Sequence, residues 1–257
     1  MQAASLTSIY RYPIKGLSPE RLGATTLTPG ATVPADRLYA IENGPCGFDP
    51  AAPAYFPKIR FLMLMRNERL ARLDTRFDDR GQTLIVREQG REAARGDLRR
   101  PEGRRAIEDF LAVFCADELR GPPRVLHAPG HSFSDVARKV VSIINLASVA
   151  AIEALVGAPV DPLRFRANLY VEGWPAWSEF ELIGRTLSVG AEARLKAVKR
   201  IERCAATNVE PGTGIRDMTI PTSLQRAYGH ADCGIYAEVV AGGPIASGDR
   251  VAVVDAG

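Results

Sequence analysis

Apolar and polar positions alternate along short stretches of this chain, and Gly- or Pro-containing turns separate many of those stretches. Period-two alternation places one face of a segment in a core and the other in solvent, so these stretches predict strands. They fall at residues 8–14, 21–28, 37–41, 60–65, 71–76 and 83–87 in the first half. In the second half they fall at 139–144, 163–171, 180–183, 186–189, 194–201, 234–240 and 250–254. Two segments carry helical signals instead. Pro101 opens one, with Ile107, Phe110, Leu111 and Phe114 spaced three or four apart. The other runs over 146–156, with Asn145 as its N-cap and Gly157 at its C-terminal end. Residues 42–58 hold Pro45, Gly47, Pro50, Pro53 and Pro57, a density that predicts a long irregular loop. Long loops in compact domains often carry function. The pattern as a whole predicts a mainly β chain with a few helices (α+β), with barrel-like or sandwich-like units in both halves. A boundary is expected within residues 121–131, which divides the chain into 1–125 and 126–257.

Two stretches carry candidate chemistry. In residues 163–171, Phe165, Ala167, Leu169 and Val171 alternate with Arg164, Arg166, Asn168 and Tyr170. A half-buried strand with a wet face accounts for this, and so does a polar wall offering guanidinium and amide donors to an anion. In residues 196–214, a strand breaks at Cys204 and continues into a turn-rich segment, with Lys199, Arg200 and Arg203 close by. Nearby positive charge favours a thiolate, the form that ligates a metal or attacks an electrophile. On this stretch alone, a buried small thiol beside a solvated basic face is the simpler account.

Composition narrows the field. The chain has 257 residues, 46% apolar and 25% charged, as in an ordinary globular protein. A net charge of +3 does not point to nucleic acid. The N-terminus lacks a basic segment followed by an apolar run, so no secretory signal is expected. The longest apolar stretch, 140–160, is broken by Ser142, Asn145, Ser148, Glu153 and Gly157, and reads as a strand then a helix rather than a membrane span. Cys46, Cys115, Cys204 and Cys233 form no Cys-x-x-Cys pair, which argues against a zinc module, an iron–sulfur cluster and a disulfide framework. A cytoplasmic location is expected. His127, His131 and His230 lack metal-ligand spacing. Dinucleotide, P-loop and nucleophile-elbow motifs are missing from the sequence.

A wider set of motifs resembles the MOSC proteins. The set comprises Tyr12-Pro13-Ile14-Lys15, Asp36-Arg37, Phe165-Arg166-Ala167-Asn168, Arg203-Cys204 with Asn208-Val209-Glu210-Pro211-Gly212-Thr213-Gly214, and Gly248-Asp249-x-Val251. The resemblance covers both halves: an N-terminal MOSC-associated β-domain, then the MOSC domain. It is strongest to the branch holding the mitochondrial amidoxime-reducing component and its bacterial relatives. It implies two barrel-like domains packed around a molybdenum cofactor (a molybdopterin), with the metal ligated by Cys204. A soft thiolate suits such a metal. By the same carry-over, Lys15 and Arg37 reach the cofactor's phosphate end, and Asn145 or Ser148 offers donors at a helix start. Arg166 and Asn168 match the family's Arg-x-Asn strand, and Arg203, Thr207 and Tyr236 fall in cofactor-lining positions. Where the family often has Ser after the N-terminal Lys, this chain has Gly16.

The activity this implies is reductive removal of oxygen from N-hydroxylated compounds such as amidoximes or hydroxylamines. The rivals are a sulfur-transfer protein carrying a persulfide on Cys204 and a non-catalytic cofactor carrier. Some bacterial relatives carry an appended ferredoxin-like domain with four clustered cysteines. With the chain ending at Gly257 and its cysteines scattered, electrons are expected from a separate ferredoxin, flavoprotein or reductase.

Overall fold

A computed structural model describes residues 3–254, so Gly257 lies outside the described residues. In chain order the strands of the first half are β1 (Ala4–Arg11), β2 (Glu20–Leu22), β3 (Ala24–Leu27), β4 (Ala40–Asn43), β5 (Leu73–Asp78), β6 (Thr83–Glu88) and β7 (Arg91–Asp97). Helix α1 (Pro101–Phe114) follows, then β8 (Pro123–Leu126), β9 (Val141–Asn145) and helix α2 (Leu146–Val156). The chain continues through β10 (Leu169–Glu172), β11 (Thr186–Val189), β12 (Ala193–Glu202), helix α3 (Ile220–Tyr228), β13 (Asp232–Ala241), β14 (Gly243–Ala246) and β15 (Arg250–Val254). The fold is mainly β with three helices among the described residues.

Seven strands form a closed ring in the order β10-β9-β13-β12-β11-β15-β1, and β1 closes it by pairing with both β15 and β10. Closure removes the exposed edges that an open sheet leaves. The ring is antiparallel except for β9 and β10, which run parallel. A parallel pair needs a crossover, and α2 supplies it directly after β9. Asn145 ends β9 and accepts from the backbone N–H of Ala147 at 3.2 Å, while Gly157 closes the helix in the left-handed region at φ 71°. The ring's interior is filled by inward positions such as Leu6, Ile9, Ile143, Leu195 and Ile235, all essentially buried.

The first half builds a second core. A three-stranded sheet β5-β6-β7, the β4–β8 ladder and α1 meet around Ile14, Tyr39, Leu62, Leu84, Ile107 and Leu111. A third, smaller cluster packs α2 and α3 on the outside of the ring through Val149, Ile152, Ile220, Leu224 and Cys233.

Two expected strands are not strands, and a third, 163–171, is one only at its end. Residues 60–65 form turns: Asn67 Oδ1 accepts the Met63 N–H at 3.1 Å, and Asn67 N–H returns to the Met63 carbonyl at 2.9 Å. Phe61 to Leu64 are still buried, and a short apolar run is compatible with either outcome. Ser178–Leu182 is a 3-10 turn. In 163–171, Asp161 caps a 3-10 turn over Pro162–Phe165, Arg166 ends it at φ 50°, and β10 begins only at Leu169. Strands β7, β8 and β14 and helix α3 were not anticipated. Helix α3 buries only Ile220 and Leu224, too sparse a stripe to stand out among Thr, Ser, Gln and Arg.

Candidate functional site

The site lies where the end of β1, the loop after β12 and the segment before β10 converge. After β1, Tyr12 is buried and its N–H donates to Asp36 Oδ1 at 2.8 Å. Arg37 folds back against it: its N–H donates to the Tyr12 carbonyl at 2.7 Å. Arg37 adopts φ 51° and Arg166 φ 50°. Two non-glycine residues in the left-handed region at one place mark a conformation imposed by the surroundings. Both guanidinium groups lie over the Tyr12 ring, Arg37 at 5.0 Å and Arg166 at 4.3 Å from its centroid. The aromatic face thus steadies two like charges. Arg37 also donates to Asp36 and, at 3.0 Å, to the Arg166 carbonyl. Lys15 donates to the Phe133 carbonyl at 2.9 Å and pairs with Asp135.

Gly16 follows Lys15 at φ 86°, and a Cβ there would lie 2.8 Å from the Leu62 carbonyl oxygen. A serine would be strained in the left-handed region and crowded against that backbone, so glycine here is a requirement of this loop.

Cys204 follows β12. Its carbonyl accepts from the Thr207 N–H at 3.1 Å and the Thr207 hydroxyl at 3.0 Å, which fixes the turn. Arg203 braces the other side. Its Nε and one Nη reach the Cys233 carbonyl at 2.7 and 2.5 Å, and the other Nη reaches the Phe165 carbonyl at 2.8 Å. That bridge passes across Gly234, where a Cβ would lie 3.2 Å from an Arg203 Nη and 2.5 Å from the Ile143 carbonyl oxygen. Lys58, from the Pro-rich loop, lines the same cavity as Cys204, whose sulfur is among the groups that raise the Lys58 pKa.

These groups wall one cavity of about 240 Å³. Its lining includes Lys15, Arg37, Arg166, Asn168, Arg203, Cys204, Thr207 and Tyr236. Seven basic residues line it against three acidic ones, so the chamber favours an anion. At Lys58 burial opposes the charge, but Asp135 and the Cys204 sulfur outweigh it and raise the pKa. At Asp135 burial is likewise outweighed, by Lys15 and Arg37, and the carboxyl stays well below its usual range. Burial lowers the pKa of Lys15 and of Arg166. Burial raises that of Tyr236, which keeps its phenolic proton at neutral pH. Arg166 is a cation in this wall without an acid partner. Among the described residues its guanidinium meets the Tyr12 ring but donates to no protein acceptor. A half-buried guanidinium with open donors, facing the cavity, can receive a ligand oxyanion.

The lining residues divide by what they touch. Asn168 is spent within the protein: its Oδ1 accepts from the Ser142 N–H at 3.1 Å and hydroxyl at 2.9 Å, and its Nδ2 donates to the Tyr10 carbonyl at 3.2 Å. Arg203 and Thr207 hold the Cys204 turn. Asn145 and Ser148 are corrections: neither lines the cavity. Both turn to the buried carboxylate of Glu179, Asn145 Nδ2 at 3.0 Å and the Ser148 hydroxyl at 2.8 Å. A helix start that already caps itself and serves a buried carboxylate has no donors to spare. The sequence reading also missed Lys58 and Asp135. The long loop was flagged, yet nothing in local sequence shows that Lys58 reaches Cys204 across 146 positions.

The other cysteines stand apart from the cavity. Burial pushes the Cys115 and Cys233 thiols up to about 12, and burial with Glu42 pushes Cys46 up to about 11. Among the described residues, no three His, Cys, Asp or Glu converge on a common point. No helix among them is long and apolar enough to cross a membrane.

Residues 3–117 match the family model of the MOSC N-terminal beta barrel domain, and residues 128–252 match that of the MOSC domain. Among solved structures, the YUAD protein from Bacillus subtilis is 12% identical, with 97% of this chain and 94% of that one covered and a TM-score of 0.47. YiiM from Geobacillus stearothermophilus is 16% identical over 45% of this chain and 54% of that one, with a TM-score of 0.36. No curated protein matches the chain.

Proposed function

Because this chain belongs to the MOSC proteins, with the N-terminal barrel domain followed by the MOSC domain, we propose that its cavity holds a molybdenum cofactor ligated by Cys204 and serves the reductive removal of oxygen from N-hydroxylated compounds. One observation carries the reading: a half-buried thiol, beside the Lys58 ammonium, shares a basic chamber with an arginine that has open donors. The residues fit the group. Cys204 offers a single soft ligand, which suits a metal that brings its other ligands with it, as a pterin-bound molybdenum does. Its phosphate needs cationic donors, and Arg166 offers them. When bound, the group supplies a two-electron redox centre.

The chain's own residues do the rest. Thr207 and Arg203 hold the Cys204 backbone, so the sulfur is presented at one fixed place. Lys58, its pKa raised, keeps positive charge in the chamber that holds that sulfur. Lys15 and Arg37, paired with Asp135 and Asp36, set the shape of the anion-binding wall rather than offering free donors. Overall the N–O bond of the substrate breaks, and the oxygen leaves as water with two protons. The two electrons come from a separate donor protein, a ferredoxin, flavoprotein or reductase. Lys58 Nζ and Tyr236 Oη are among the cavity groups that stay protonated at neutral pH and can donate hydrogen bonds to the departing oxygen.

A persulfide on Cys204 would also gain from Lys58, so sulfur transfer is the second reading. Reduction of benzamidoxime, driven by reduced viologen, separates the two. The wild-type chain should turn over, and Cys204→Ser, with a hard alcohol in place of a soft thiolate, should not. Full activity in Cys204→Ser sinks the assignment. A Cys204 persulfide in a chain without turnover favours sulfur transfer.

A further inference from the structure

Tyr12 follows β1 directly and is fully buried. Its hydroxyl has no hydrogen-bond partner there. The Tyr170 hydroxyl acts on it but is already spent: it donates to the Pro162 carbonyl at 3.2 Å and accepts the Ala167 N–H at 3.1 Å. Buried polar atoms are nearly always satisfied, so the hydroxyl does not account for a tyrosine at this place. The ring does, because the guanidinium groups of Arg166 and Arg37 both lie over it. We propose that Tyr12 is the positioning residue of the anion seat: the face of its ring holds the Arg166 guanidinium ready for an incoming oxyanion, and its hydroxyl takes no part. The inference rests on the reading above only in taking the cofactor's phosphate as the natural anion.

Tyr12 is not among the residues that line the chamber, so it acts through another. Arg37 needs little from it. That guanidinium is already fixed by Asp36 and by the Arg166 carbonyl at 3.0 Å. Arg166 differs. Its backbone is set, with φ 50° and its N–H on the Leu163 carbonyl at 3.1 Å. Among the described residues its side chain meets the Tyr12 ring at 4.3 Å and no acid. A long side chain without a partner keeps its rotamer freedom and loses it when a ligand binds. Attraction to the ring face removes that freedom beforehand, which is preorganisation. The ring is itself held: the Tyr12 N–H donates to Asp36 Oδ1 at 2.8 Å, and its carbonyl accepts the Arg37 N–H at 2.7 Å. An aromatic ring from the first half thus sets the anion affinity of an arginine from the second.

The test is calorimetric titration with inorganic phosphate of the full-length chain, made in a host without the molybdenum cofactor. Tyr12→Phe keeps the face and should bind within about twofold of wild type. Tyr12→Leu keeps apolar bulk without the face and should weaken binding about fivefold, the size of one cation–aromatic contact. Added to Arg166→Ala, Tyr12→Leu should cost nothing further, because residues that act as one unit are not additive, whereas a purely structural loss adds. Should Tyr12→Leu fail to fold, pentafluorophenylalanine at this position serves, since it keeps the ring's shape and inverts the charge of its face. Wild-type affinity in either folded variant overturns the proposal. A Tyr12→Leu loss that persists in full beside Arg166→Ala overturns it too. So does a Tyr12→Phe variant as weak as Tyr12→Leu, because the hydroxyl would then be the working group. Phosphate binding no tighter in wild type than in Arg166→Ala also overturns it. The cofactor reading fails separately, on trace molybdenum in protein from a host that makes the cofactor, and the phosphate comparison still decides the role of Tyr12.

Discussion

At the scale of residues, the cavity's cations fall into two groups. Arg166 is open, whereas Arg37 and Lys15 are tied to acids. Their alanine variants should therefore behave differently. Arg166→Ala removes donors that only a ligand uses, so cofactor retention on dialysis should fall while the unfolding midpoint stays nearly constant. Arg37→Ala strands the buried Asp36 carboxylate, and breaking a buried pair from one side costs about 3 kcal/mol. Denaturant unfolding with molybdenum analysis measures both. Equal loss of stability in the two variants would contradict the division. This split was not legible in the sequence, which shows charge but not pairing. Cys204, Lys15, Arg37 and Arg166 were named through the family resemblance, and all four line the cavity. Lys58 and Asp135 were not, because their partners are brought near only by the fold. Asn145 shows the opposite error: its capping role was legible, and the donors credited to it were already spent on Ala147 and Glu179.

At the scale of elements, the β12–β13 pair carries the site. These neighbours place Arg203 against the Cys233 carbonyl across Gly234 at φ 78°. Gly234→Ala puts a side chain in the left-handed region and against the Ile143 carbonyl, at a cost of about 1–3 kcal/mol. It should also shift Arg203 and so disturb the Cys204 turn. Thermal unfolding should report the first effect and molybdenum occupancy the second. Wild-type stability would show that the backbone there yields without strain. Period-two patterning found β1, β5, β6, β11, β12, β13 and β15, where one face lies in a core, and β9, which is buried on both faces, was found as a short apolar run. It failed at 163–171, where alternating residues are all largely buried and belong to a capped turn and a short strand. The alternation admitted either a half-buried strand with a wet face or a wall of donors. Arg164 instead binds Asp217, and Arg166 alone is open to the cavity.

At the scale of the whole molecule, strand β1 ties the halves together. It comes from the first half by sequence, yet it closes the ring between β10 and β15. A fragment of residues 126–257 lacks it and leaves the facing edges of β10 and β15 unpaired, which invites aggregation. That fragment should be insoluble or lack native near-ultraviolet dichroism. A soluble, native-like fragment would show that the ring can close without β1. The mainly β class and both barrel-type units were readable from patterning, but the shared strand was not, since pairing across 160 positions leaves no local mark. The cavity sits where these parts meet, with Lys15 and Arg37 from one half and Arg166 and Cys204 from the other. The account therefore turns on what that cavity holds. Molybdenum in freshly purified wild-type protein, measured by inductively coupled plasma mass spectrometry against protein concentration, tests this most directly. The account predicts a stoichiometry approaching one molybdenum per chain when the expression host makes the cofactor. Protein from such a host that is folded yet carries only trace molybdenum would contradict it.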